Sequence, residues 1–106
     1  MNQYNHRHLY ITVTQSFLIE KLIEKVRNEL GILKDEKKPK AVDTFERYAM
    51  VYVLIKHLAF RPLPVSKHLA KNNHTLISYI MKQANDWMDV NKDFKELVEK
   101  IKETLK

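Results

Sequence analysis

Residues 47–82, RYAMVYVLIKHLAFRPLPVSKHLAKNNHTLISYIMK, decide how the rest of the chain is read. Their first part, Tyr48 to Leu58, would be apolar on nearly every side of a helix. Such a helix is central and contacted by several neighbours, unlike a surface helix with one apolar stripe. Pro62 and Pro64 stop it, since proline lacks the N–H donor and its ring clashes with the preceding turn. Pro64 is then placed to open a short helix from Val65 to about Ala70. Lys71-Asn72-Asn73 reads as a turn. Asn72 or Asn73 caps a further helix from His74 to about Met88, in which Ile77, Ile80, Met81, Ala84 and Met88 recur at helical spacing. Two short helices joined by a tight polar turn are the pattern of a helix-turn-helix. The opposite face of the second helix carries His74, Thr75, Ser78, Tyr79 and Lys82, the small, polar and basic groups that a groove-reading helix needs in its first turns. The stretch holds no acidic residue, while Arg47, Lys56, Arg61, Lys67, Lys71 and Lys82 all lie in it.

Composition narrows the class. With 106 residues the chain is expected to form a single domain, large enough to bury a core without disulfides or a structural metal. Cysteine is absent, which removes thiolate nucleophiles and Cys-based zinc sites. No signal pattern opens the chain, and Lys56 and His57 interrupt the apolar run too early for it to span a bilayer, so a cytoplasmic protein with no membrane partner is expected. A formal charge of +6 favours an anionic partner such as nucleic acid, although lysine also serves solubility.

Outward from the centre, Leu9 to Val13 has strand-like composition with no sheet to join, so residues 1–14 are expected as an extended arm laid on the helices or used in a dimer contact. His6 and His8 would point the same way in that arm, but no third ligand is near and a metal site is not expected. Thr14 or Ser16 can cap a first helix over residues 15–33, with Leu18, Leu22, Ile23, Val26 and Leu30 on one face. Gly31, the chain's one glycine, stands where a left-handed carboxy-terminal cap is wanted. Lys34 to Lys40 reads as an exposed, charged loop broken by Pro39. Asp43 and Glu46 have the spacing of a capping box for the central helix. After a break at Asp89 to Asn91, residues Phe94, Leu97, Val98, Ile101 and Leu105 mark a last amphipathic helix. The expected fold is therefore all-α, about five helices with a helix-turn-helix, preceded by the arm.

From Lys34 onward the chain resembles the carboxy-terminal DNA-binding domain of the bacterial replication initiator DnaA. That family has an Ala-Met pair in a long helix, then a short helix, a turn and a recognition helix opened by Asp-His-Thr-Thr-Val. Here Ala49-Met50 is followed by Val65 and Leu69 at the spacing of the family's Ile and Phe, and by Asn73-His74-Thr75-Leu76-Ile77 at the signature. Residues Asp89 to Phe94 resemble the start of the family's last helix. Residues 34–106 are thus similar to that domain, while the amino-terminal third matches nothing in it.

The resemblance implies duplex DNA as the partner, with His74 and Thr75 touching base edges in the major groove. Asn73 stands where the family has Asp; it still caps a helix and can donate as well as accept, but it is not a pure acceptor for cytosine. Leu76 replaces a Thr and Asn72 an Arg, which removes a hydroxyl and a cation. These departures leave the target sequence open. The base-reading set implied is Asn73, His74, Thr75 and Ser78. Lys37, Lys38 and Lys40 match a basic loop in which the family uses an arginine, and as lysines they suit phosphate contact better than minor-groove insertion. Arg61, Lys67, Lys71 and Lys82 complete the expected backbone contacts. A replication protein, or a second copy met through the arm, are the other partners left open.

Catalysis is the weaker reading. No carboxylate pair lies near a histidine in the central stretch, and Ser66 and His68, two apart on a helix, do not face each other. A single glycine cannot build a phosphate-cradling loop, so ATP binding of that type is excluded and no cofactor is expected. Outside the resemblance, His74 would be an ordinary exposed histidine at a helix start, Tyr48 and Tyr52 core residues, and Trp87 a seal for the last helix. The alternative function is a protein-interaction or structural module, for example of a phage or mobile element, that keeps the fold without specific DNA binding.

Overall fold

The computed structural model describes residues 3–33, 41–71 and 73–106, with side chains for 13–33, 44–71, 73 and 75–106. At its centre is α2, Ala41–Tyr52, prolonged by a π-type turn over Val53–His57. Every residue from Tyr48 to Leu54 is buried, so two turns of this helix have no solvent face. This is the outcome that its all-round apolar sequence demands. Around it stand α1 (Gln3–Leu30), α3 (Pro62–Leu69), α4 (His74–Val90) and α5 (Lys92–Thr104). The fold is all-α, and the described residues contain no strand. α2 packs against α3, α4 and α5, whereas α1 packs on α3 and α5.

The core is one continuous cluster. Ile19, Ile23 and Val26 enter it from α1, Val65 and Leu69 from α3, Ile77, Ile80 and Ala84 from α4, and Phe94, Val98 and Ile101 from α5. At one side Trp87 lies 5.4 Å from Phe45, 5.5 Å from Tyr48 and 5.3 Å from Phe94, ring centre to ring centre. Aromatic pairs at such distances contribute about 0.5–1.5 kcal/mol each beyond their buried area. Trp87 therefore seals α5 onto α2 and α4, and Tyr48 and Tyr52 are core residues.

Three helix ends follow their local chemistry. Gly31 adopts φ +66° and its N–H bonds Arg27 O at 3.0 Å, the left-handed cap expected of it. Asn73 caps α4, and Asn91 closes α4 while its side chain caps α5 through Phe94 N at 3.0 Å.

Elsewhere the structure corrects the sequence. The extended arm is not present: α1 already runs from Gln3 and carries Leu9–Val13 in its helix. A lone strand leaves its backbone donors and acceptors unpaired, whereas a helix satisfies them internally, and this outweighs the β-branched composition. Thr14 and Ser16 consequently lie inside the helix and cap nothing. In α1, Ile23 and Val26 are buried as expected and Leu22 and Leu30 are half-buried against the core, but Ile19 takes the place expected of Leu18, which is exposed. Asp43 is not the residue before α2, which begins ahead of it at Ala41, and the Glu46 carboxylate accepts the Leu33 N–H at 3.3 Å. Leu33 O also accepts from Arg27 Nε at 2.9 Å, so side chains of α1 and α2 together hold the chain where it leaves α1.

The central helix ends by widening. Leu58 N bonds Val53 O at 3.1 Å, Phe60 N bonds Leu54 O at 2.9 Å, and Ala59 sits at φ +59°. The short helix then starts at Pro62, three residues earlier than expected, because a first-turn proline gives up an N–H that would have no partner anyway. The expected loop Lys34–Lys40 lies outside the described residues.

Candidate nucleic-acid interface

α3 and α4 pack on each other across a turn in which Asn73 N bonds Ala70 O at 2.9 Å. Lys71, at the apex, has φ +50°. A left-handed conformation costs a residue with a Cβ about 1–2 kcal/mol relative to glycine, yet a lysine occupies it. Ser66 helps to close α3: it is fully buried, donates to Leu63 O at 2.6 Å, and its own carbonyl accepts from Ala70 N at 2.9 Å.

Asn73 Oδ1 accepts two backbone N–H groups at the start of α4, Thr75 at 3.1 Å and Leu76 at 3.2 Å. Both lone pairs of the oxygen are thereby engaged. Of its amide, only the NH2 group remains available to a base edge. From there α4 turns Ile77, Ile80 and Ala84 inward, and at about 100° per residue Thr75, Ser78, Tyr79 and Lys82 fall on the opposite side. All four are exposed. The same face continues into Asp86 and Asp89, also exposed, so the helix is polar and basic in its first half and acidic in its second. Any approach to a polyanion is therefore restricted to the amino-terminal turns.

Arg61 at the start of α3, Lys67 on its outer face and Lys71 in the turn are all exposed. Seven of the sequence-derived positions thus gather on the helix-turn-helix: Asn73, Thr75, Ser78, Arg61, Lys67, Lys71 and Lys82. The side chain of His74 and the whole of Lys37, Lys38 and Lys40 lie outside the described residues. Arg47 does not join them. It is half-buried on α2, its guanidinium carbon 5.9 Å from the Tyr48 ring centre, and its Nε has no hydrogen-bond partner among the described residues.

The amino-terminal third, which carried no signal, supplies the support of this site. Gln15 Oε1 accepts the Arg61 N–H at 2.9 Å, and Ser16 Oγ lies 2.7 Å from His68 Nε2. Both bonds tie α1 to α3. Ser66 and His68 take separate partners, as their spacing requires. No sequence signal marked Gln15, because a glutamine side chain has many possible hydrogen-bond partners and only packing selects among them.

His57, in the π-type turn, is held below its ordinary value near 6.5, first by partial burial and then by Lys102 and Lys56, with Glu99 acting the other way. Its ring meets Tyr52 edge to face, centres 5.5 Å apart. Among the described residues no three His, Asp or Glu side chains converge as a metal site, and no helix is long and apolar enough to cross a membrane. Compared with known protein families, curated proteins and solved structures, the chain matches none.

Proposed function

We propose that this chain binds double-stranded DNA with some sequence preference, laying the first turns of α4 in the major groove and using α3 and the turn to hold phosphates. The observation that carries this reading is Lys71. In the turn between α3 and α4, the position in the left-handed conformation that favours glycine bears a cation, between exposed Lys67 and the Thr75, Ser78 and Lys82 face. Strain kept at a surface turn is compatible with a functional charge there, since packing does not require it. The similarity of Asn73 to Ile77 to the DnaA signature adds replication, or its regulation, as the process. His74 and Thr75 read base edges in this scheme, Asn73 and Ser78 assist them, and Lys37, Lys38, Lys40, Arg61, Lys67, Lys71 and Lys82 meet the backbone.

The acidic second half of α4 sets the pose. Asp86 and Asp89 oppose phosphates, so the helix enters the groove by its amino end and tilts away beyond Lys82. The test is a titration with random duplex DNA at several salt concentrations. The affinity should fall with salt along a log-log slope corresponding to roughly four to seven released counterions. A flat slope, or no binding at low salt, would leave the protein-interaction module as the function, a reading favoured by exposed Val13, Phe17 and Leu18 on α1.

A further inference from the structure

Among the large apolar side chains left exposed in the described residues, one stands in the first turns of α4. Tyr79 is 58 % exposed, one turn after Thr75 and three residues before Lys82. Its neighbours Ile77 and Ile80 carry the packing of this part of α4, so the Tyr79 ring is not needed in the core. A phenol ring exposed among small polar side chains exposes apolar area at a cost that folding does not demand. At this place on a groove-facing helix, the base feature that fits an apolar ring is the C5 methyl group of thymine, which projects into the major groove and is the one apolar mark on a base edge there.

We infer that Tyr79 is a specificity-determining residue that reads a thymine methyl, with its ring rather than its hydroxyl. This rests on the DNA-binding reading above and adds a base preference to it. The small side chains around Tyr79 matter to the assignment. Thr75 and Ser78 are short enough to let the ring reach the groove floor, whereas a phosphate contact would need only the hydroxyl at the rim. Lys82, one turn along the same face, is suited to the flanking phosphate.

A preferred duplex is first selected from a randomised pool. The wild-type protein, Tyr79→Phe and Tyr79→Ala are then measured on that duplex, on a scrambled one, and on versions in which single thymines are replaced by deoxyuridine, which lacks only the methyl. Tyr79→Phe should bind like the wild type. Tyr79→Ala should lose about tenfold on the selected duplex and almost nothing on the scrambled one. One deoxyuridine replacement should weaken the wild type several-fold and leave Tyr79→Ala unaffected. Equal losses for Tyr79→Ala on both duplexes, or a loss for Tyr79→Phe, would make Tyr79 a backbone contact and overturn the inference while DNA binding stands. Absence of any enriched sequence would overturn the inference together with the sequence preference it builds on.

Discussion

Ser16 Oγ and His68 Nε2, 52 residues apart in the chain, meet at 2.7 Å between α1 and α3. With the Gln15 bond to Arg61 N, this makes the first helix a brace for the helix-turn-helix. A hydroxyl can donate to an imidazole nitrogen or accept from an imidazole N–H, so the contact forms with either tautomer of His68.

That brace should be measurable as a coupling. Ser16→Ala and His68→Ala are each expected to destabilise the fold by about 0.5–1.5 kcal/mol, and the double variant by less than their sum. Chemical denaturation of the four proteins of the cycle measures it. Fully additive losses would mean that the two side chains act independently.

Packing around α2 leads to a steeper expectation. Val53→Ala or Tyr52→Ala should cost on the order of 2–4 kcal/mol, because each empties a space enclosed on all sides. Lys82→Ala, on the exposed face of α4, should change stability by less than about 0.5 kcal/mol. Thermal or urea unfolding compares them, and the reverse order would contradict the placement of α2.

Lys71 sets stability against binding. Lys71→Gly removes the left-handed strain, and after the extra unfolded-chain entropy of glycine it should stabilise the protein by up to about 1 kcal/mol. The same change removes one cation from the interface, so the salt slope of DNA binding should drop by about one counterion. A variant that is both more stable and equally good at binding DNA would show that Lys71 does not meet the backbone.

Asn73 combines two roles that substitution can separate. Asn73→Ala should lose about 1 kcal/mol of stability with the cap, whereas Asn73→Ser keeps an acceptor for the first N–H groups of α4 and should hold stability within about 0.5 kcal/mol. If Asn73→Ser also binds a selected duplex like the wild type, the residue caps the helix and reads no base.

The perturbed histidine gives a pH dependence of known sign. His57 is held below its ordinary value in the folded protein, so between that folded midpoint and about pH 6.5 the unfolded chain binds the extra proton. Its contribution to stability is present above about pH 6.5 and is lost as the pH falls through that window. Proton NMR should place the His57 midpoint below that of a free histidine, Lys102→Met should raise it, and His57→Gln should flatten part of the acid loss. A midpoint at or above the ordinary value would contradict the lowering by partial desolvation and Lys102.

What the sequence determined by itself were the helix ends and helix faces whose partners lie within a few residues. Gly31 ends α1, Asn73 opens α4 and Asn91 divides α4 from α5 because each bonds backbone groups three or four positions away. The all-round apolar run of α2, and the spacing of Ile77, Ile80 and Ala84 or of Phe94, Val98 and Ile101, likewise identify their buried faces from period alone. For the proposed interface, the sequence showed which residues share the exposed side of α4, since helical spacing alone separates Thr75, Ser78 and Lys82 from the core. Only the tertiary structure decided the rest. Ile19 displaced Leu18 from the core, Glu46 turned to Leu33, and Ser16 turned to His68. Each of these side chains or segments had several partners of nearly equal free energy. The choice was made by which one the packing of distant elements brought within reach.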